Sequence, residues 1–303
     1  MREWLICGTV PDESFPLCLG SWEVDGDMLV PHEVEVCSEG HAPRAVPILR
    51  GTPALAAAAI LACNARGCNA PKLLLTGDCG KGGGSLALYS FLAARLPDAG
   101  FLPNLGGMTF HYLFPNVDGH NRILMAIDER PGDSPTLVAD AGFMYAAKMS
   151  GYAARWDIFT PDAGELSFLA DEKAPHPFYT RGFLLGGDQP PEQLAALAHA
   201  HGDSARHLLI KGSTDLVVRQ GCVAERIESP SIPYMEPIGG TGDLVTGLLT
   251  AALAAGKEPV AACTAAARGA RIVGSLAQPT PAWSIAMLMP YIKEALAVEK
   301  ALP

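Results

Sequence analysis

Four segments of the chain carry a short apolar run that stops on a polar residue and then turns toward a helix-like pattern. KLLLT at 72–76 passes through a Gly-rich turn into SLALYSFLAARL, SPTLVAD stops at Asp140, RWDIFT stops near Thr160, and ARHLLIK stops at Lys211. Apolar runs of this length bounded by turn signals are strand-like, and strands alternating with helices of roughly 10 to 15 residues favour a parallel α/β sheet over a helical bundle or a β-sandwich. Open sheets of that kind bind ligands beyond the carboxyl ends of their strands, so the polar terminators are the first candidates for function.

Other segments fill in around these four. EWLIC at 3–7, WEVDGDMLV at 22–30 and EVEVC at 33–37 are short strand patterns, and Asp25, Gly26 and Asp27 supply a tight turn. They mark residues 1–50 as a β-rich N-terminal extension or flap, ahead of a main domain at 51–303. From residue 51, GTPALAAAAILACNARGCNAP predicts a helix with Thr52 as cap, Pro53 in its first turn and an end near Gly67. A second helix is expected at about Ser85 to Leu96. DLVVR and CVAERIE predict a hairpin around Gly221, and further helices follow GGTGDL and lie near 259–275 and 281–297.

Composition narrows the classes without choosing among them. With 49% hydrophobic and 18% charged residues, the 303-residue chain has ample material for a core, and its length allows one or two domains. Lys and Arg number 22 against 32 Asp and Glu, a formal charge of -10. That balance argues against a dominant nucleic-acid or anionic-membrane surface, and no run approaches the roughly 20 apolar residues of a membrane span. The opening MREWLICGTVPDESF is a poor signal peptide, and eight dispersed Cys without paired CxxC units suit free thiols in a reducing, cytoplasmic setting rather than a structural zinc site.

The sharpest local pattern is IGGTGDLVTG at 238–247. Gly239, Gly240 and Gly242 permit close backbone approach, and the helix that follows would offer unpaired N–H groups to an anion. Asp243 stands at that entrance, where a carboxylate beside phosphate needs a proton, a metal or a cation and so suits proton transfer. An ordinary Gly-rich turn capped by Asp fits the same residues.

GGTGDLVTG, with KGSTD at 211–215 and TPDAGEL at 160–166, resembles the ribokinase-like superfamily, and most closely its ADP- or ATP-dependent NAD(P)H-hydrate dehydratases. The similarity runs in coarse order over about residues 50–298. It implies a three-layer α/β/α sandwich with a largely parallel central sheet, a bound ADP or ATP with magnesium, and a hydroxylated substrate facing the terminal phosphate. Asp243 then corresponds to the family's proton-handling Asp, Gly239, Gly240, Thr241 and Gly242 to its anion-binding turn, and Lys211 to a Lys near the nucleotide phosphates. Gly164 and Glu165 match the end of a His-Pro-Gly-Glu pattern, with Glu165 implied in magnesium or phosphate-side electrostatics, although Asp162 replaces the His. Asp140 matches the first Asp of a DADALN-like strand end whose Asn is missing, leaving Phe143 or Tyr145 to line the acceptor pocket.

The GDCGKGGGS loop resembles the family's earlier Gly-rich loop, which places Asp78 and Gly80 at the substrate border; it lacks both the P-loop order and the dinucleotide spacing. HYLFP with His111 and APHPFYTRGF with His176 and Arg181 are candidates for a substrate rim or an oligomer contact. The resemblance allows a homo-oligomer. The expected reaction is repair of hydrated NAD(P)H by phosphorylation of its hydroxyl and elimination of phosphate. A small-molecule kinase that stops after the first transfer is the alternative, and a noncatalytic nucleotide-binding protein a third class.

Overall fold

Side chains on successive strand residues face opposite sides of a sheet, so a sheet covered on both faces needs apolar residues at consecutive positions. The central strands of this chain meet that demand: Trp4 and Ile6 face one core while Leu5 and Cys7 face the other, and Leu73 and Leu75 are likewise divided from Leu74. The computed structural model describes residues 3–38, 42–174 and 189–301. His176 and Arg181 lie outside the described residues.

The described strands form one sheet. They are β1 (Glu3–Val10), β2 (Cys18–Asp25), β3 (Met28–Cys37), β4 (Val46–Pro47), β5 (Lys72–Gly77), β6 (Leu105–His111), β7 (Thr136–Ala139), β8 (Ile158–Phe159), β9 (His207–Ile210), β10 (Asp215–Arg219) and β11 (Cys222–Ile227). Their spatial order is β11-β10-β9-β8-β7-β6-β1-β5-β2-β3-β4. From β9 to β5 every pairing is parallel, and antiparallel strands finish both edges. The four strands expected from the sequence therefore share a sheet.

Among the described residues nine α-helices cover it. On one face lie α1 (Thr52–Arg66), α7 (Thr241–Ala254), α8 (Pro259–Ala277) and α9 (Ile292–Ala301). The other face carries α2 (Gly83–Arg95), α3 (Val117–Glu129), α4 (Gly142–Met149), α5 (Ala163–Ala170) and α6 (Pro191–Ala200). The result is the expected α/β/α sandwich.

Two local expectations change. Residues 1–50 are not all extension: β1 lies between β5 and β6 and pairs with both in parallel. Only β2, β3 and β4 form the added β-rich edge. Periodicity identified EWLIC as a strand but carries no information about its sheet position, which depends on pairing with residues about 70 and 100 positions away. Nor does one helix span 281–297; two short 3-10 turns at 285–287 and 289–291 precede α9.

The Ala-rich stretch explains how α1 and α7 come together. Ala54 through Ala59 of α1 are buried, and Gly247 of α7 sits so close that an added Cβ would press on the Leu55 carbonyl and lie 2.7 Å from the Ala58 Cβ. Gly→Ala in a helix interior ordinarily stabilises by roughly 0.5 to 1 kcal/mol. Here the sign should reverse: Gly247→Ala is expected to cost about 1 to 3 kcal/mol, because backbone, which cannot swing aside, meets the new methyl. Urea unfolding of the two proteins measures it, and an unchanged or raised midpoint would contradict the packing argument.

Candidate active site

The polar strand ends converge. His111 closes β6, Asp140 follows β7, Thr160 follows β8 and Lys211 follows β9. Because these strands are parallel, all four residues lie at the same edge of the sheet, where α1 and α7 also begin.

The entrance to α7 is built by glycine. Gly240 is its N-cap at φ 99°, a left-handed conformation open to glycine without strain. Asp243 occupies the first turn and is buried. Its Oδ2 accepts the Gly51 N–H at 2.5 Å, at the N-cap of α1, and its Oδ1 lies 3.0 Å from His111 Nε2. Burial alone would raise the Asp243 carboxyl, but the hydrogen bond and charge of His111, the Gly51 N–H and the Lys211 ammonium outweigh it and hold the group below its ordinary value.

Asp140 and Lys211 form the second half. The Lys211 Nζ lies 3.0 Å from both Asp140 oxygens. Burial would depress the lysine, whereas the carboxylates of Asp140, Glu165 and Asp243 more than reverse this and hold it above its ordinary value. Asp140 has further support: Thr246 Oγ1 donates to its Oδ2 at 2.6 Å, and the Ala141 N–H donates to Oδ1 at 2.8 Å. An added Cβ on Gly242 would sit 3.6 Å from Lys211 Nζ, so the lysine lies directly over the first turn of α7.

His111 joins the halves. Its Nε2 is 3.8 Å from Asp140 Oδ2 as well as 3.0 Å from Asp243, while Nδ1 lies 3.1 Å from Thr52 Oγ1. Sequence reasoning placed His111 only in a substrate rim or an oligomer contact. The usable signal was the same as for Asp140 and Lys211, an apolar run stopping on a polar residue. It was hidden because the Gly106-Gly107 pair imitates a turn; Gly107 in fact leaves room for the Trp4 indole, which a Cβ would strike. Thr246, one turn along α7 from Asp243, is a further partner of Asp140.

Other candidates take more local roles. The Asp78 side chain accepts the N–H groups of Gly80, Lys81 and Gly82 at Oδ1, and the Ser85 N–H and hydroxyl at Oδ2. It organises its own loop and makes no hydrogen bond with the His111 cluster; Gly80, at φ 84°, permits the bend. Thr241 Oγ1 bonds back to the Ile238 carbonyl. Tyr145 donates to Glu165 rather than opening toward an acceptor, and Phe143 is fully buried among aromatics. Thr52, expected as a helix cap, is replaced in that role by Gly51, and Thr52 and Thr160 both face the cluster.

Glu165 belongs to a capping box: Asp162 Oδ1 accepts the Glu165 N–H, and Glu165 Oε2 accepts the Asp162 N–H. Gly164 lies in the same first turn. Among the described residues no three His, Cys, Asp or Glu side chains gather as a metal site. Glu165 offers a hard oxygen donor of the kind magnesium takes, yet both its oxygens already accept hydrogen bonds, so it suits an ion brought by a nucleotide and keeping most of its water.

Burial pushes the Glu165 carboxyl up to about 8, with Asp140 and Asp162 adding to the rise and Lys211 opposing it. Folding therefore favours its protonated form. The stability this contributes is complete below the ordinary value of 4.5 and is lost as pH climbs toward about 8. Glu165→Gln, which keeps the capping geometry, should flatten the decline in unfolding midpoint between about pH 5 and about pH 8. An identical decline in the variant would assign the pH dependence elsewhere.

No family model matches the chain. The uncharacterized protein MJ1337 of Methanocaldococcus jannaschii is 32% identical over 225 residues, covering 74% of this chain and 90% of that protein. Among solved structures, a ribokinase-like superfamily protein from Enterococcus faecalis is similar with a TM-score of 0.58 at 12% identity, over 98% of this chain and 87% of the other. A hypothetical protein from Streptococcus mutans gives 0.54 at 15%, over 98% and 91%. A mutant phosphofructokinase-2 from Escherichia coli gives 0.52 at 13%, over 98% and 100%. These likenesses establish a ribokinase-like fold. No helix among the described residues is long and apolar enough to cross a membrane.

Proposed function

The chain belongs to the family of the uncharacterized Methanocaldococcus jannaschii protein, whose name carries no chemistry, and we propose from the site itself that it is a small-molecule kinase. It would move the terminal phosphoryl group of ATP or ADP to a hydroxyl of a small acceptor. The observation that carries this reading is Asp243 held as a buried carboxylate in the first turn of α7, beside the Gly239-Gly240 turn and under the Lys211 ammonium.

Each part has a task in phosphoryl transfer. The free N–H groups of the α7 entrance and Lys211 favour the charge that spreads over the transferring phosphate oxygens. Asp140 holds Lys211 in place, yet retains Thr246 and the Ala141 N–H as partners when the lysine turns to a phosphate. Asp243 receives the proton of the acceptor hydroxyl as its oxygen bonds to phosphorus and the bond from phosphorus to the nucleotide breaks. Magnesium bound with the nucleotide would supply further neutralisation at the phosphates, and Glu165 would be the residue to order its water.

Repair of hydrated NAD(P)H would share this transfer and add loss of phosphate. Asp162 stands where the dehydratases resembled by the sequence carry His, and it is occupied in capping α5. The kinase outcome needs no group at that position, which is why it is preferred.

The test is to incubate the protein with magnesium and ATP or ADP against a panel of hydroxylated small molecules that includes hydrated NADH and NADPH. A stable phosphorylated acceptor is expected. Asp243→Asn should lower the transfer rate by about 10² to 10⁴, the usual worth of a positioned proton-transfer group, while nucleotide still binds. Lys211→Ala should weaken ADP binding far more than adenosine binding. Near-normal transfer by the Asn variant would remove Asp243 from catalysis; recovered nicotinamide with free phosphate would select the dehydratase, and nucleotide binding with no transfer to any acceptor the noncatalytic class.

A further inference from the structure

Among the described residues two histidines are deeply buried, His111 at the end of β6 and His120 on α3, and their surroundings differ in kind. His120 lies among Phe143 and Trp156, accepts the Trp156 indole N–H and approaches Asn121; burial drives its imidazole down to about 4. That is a neutral core residue with its polar atoms satisfied. His111, 1% exposed, instead has carboxylates at 3.0 and 3.8 Å from one ring nitrogen and a hydroxyl at 3.1 Å from the other.

The backbone holds His111 in this place at a cost. Tyr112, the next residue, adopts φ 51°, uncommon for a side chain of its size, and its carbonyl accepts the Thr9 hydroxyl at 2.8 Å. The bend turns the Tyr112 ring edge-on against the imidazole, at 4.4 Å between centroids, while Thr52 also reaches the His111 carbonyl. Gly8 of β1 makes room for the arrangement: a Cβ there would lie 2.5 Å from the Thr52 side chain and 2.7 Å from the His111 carbonyl. Three elements, β1, β6 and α1, thus fix one imidazole.

Resting on the kinase reading for its catalytic half, we propose that His111 is a positioning residue that aims the Asp243 carboxylate and keeps it anionic, with Thr52 as its own anchor. Donation from Nε2 to Oδ1 and from the Gly51 N–H to Oδ2 fixes the carboxylate plane from two sides. The Thr52 hydroxyl can donate to Nδ1 when that nitrogen is bare and accept from it when it is protonated, so both states of the ring stay hydrogen-bonded. The charged groups that bear on Asp243 are His111 from β6 and Lys211 from β9; Asp140 bears on the imidazole from β7, and the Tyr112 phenol is raised by burial and by both carboxylates.

The test reads Asp243 directly. Protein labelled with carbon-13 at aspartate carboxyls is titrated by NMR, with Asp243→Asn assigning the signal, in wild type, His111→Gln and His111→Leu. Loss of the imidazole should move the Asp243 midpoint upward by about one pH unit in the Leu variant and less in the Gln variant, which keeps a neutral donor. In parallel, hydrolysis of magnesium ATP, with water as acceptor, should fall by about 10²-fold in kcat for Leu and less for Gln, with the KM for ATP within about twofold. Thermal unfolding reports on folding, and the Gln variant carries the test if Leu does not fold.

An unmoved Asp243 midpoint, or unchanged kcat, in a folded variant would overturn the proposal while leaving ATP chemistry intact. Absence of both ATP binding and hydrolysis in wild type would instead sink the kinase reading and the catalytic half of the proposal, and the carboxylate titration would still decide whether His111 governs Asp243.

Discussion

The site depends on one hydrogen bond between helix ends: the Asp243 carboxylate of α7 accepting the Gly51 N–H at the start of α1. Two helix N-termini, each with unpaired N–H groups and a partial positive charge, would repel if brought together bare. A carboxylate between them turns that repulsion into attraction. Farther along, Gly247 lets the α7 backbone rest on Leu55 and Ala58, so the same two helices are joined by a charge at their beginnings and by small residues along their length. The positive field needed for an anion can then come from backbone and a single lysine, in a chain whose formal charge is -10.

The sheet supplies the remaining geometry. Parallel pairing from β9 through β5 puts the carboxyl ends of those strands and the entrances of α1 and α7 at one edge, so residues separated by as many as 192 positions, from Gly51 to Asp243, meet without a loop having to reach. The antiparallel edge strands contribute none of the polar cluster. Their work is to finish the sheet beside β9 and beside β5, and Gly20 lets β2 pass β3 where a Cβ would strike the Glu33 carbonyl.

Legibility in the sequence followed the physics of each residue. Asp140, Thr160 and Lys211 could be found because an apolar run that stops on a polar group has one simple meaning in a parallel sheet, and Asp243 because glycines before a helix announce their conformation. His111 was obscured by a Gly-Gly pair in which Gly107 serves an indole rather than a turn, and the central place of β1 by the non-local nature of strand pairing. Asp78 shows the complementary case: an Asp in a Gly-rich loop suggests a ligand contact, and in the fold five hydrogen bonds from its own loop also occupy the carboxylate. Sequence shows which groups could act; only the fold shows which are already engaged.

That distinction also governs how the cluster could change state. Lys211 is shared with Asp140 through two equal contacts, an arrangement that lets an arriving phosphate compete for the ammonium without stranding a buried carboxylate, since Thr246 and the Ala141 N–H stay in place. Asp243 has no such slack: its partners are a main-chain N–H and an imidazole pinned by a strained strand end. An exchangeable partner for the cation and a fixed setting for the carboxylate would suit the proposed transfer, in which the one follows a phosphate and the other holds still as proton acceptor. Unpaired buried charges are costly and paired ones less so, and the pairing here is asymmetric in the direction that transfer chemistry would use.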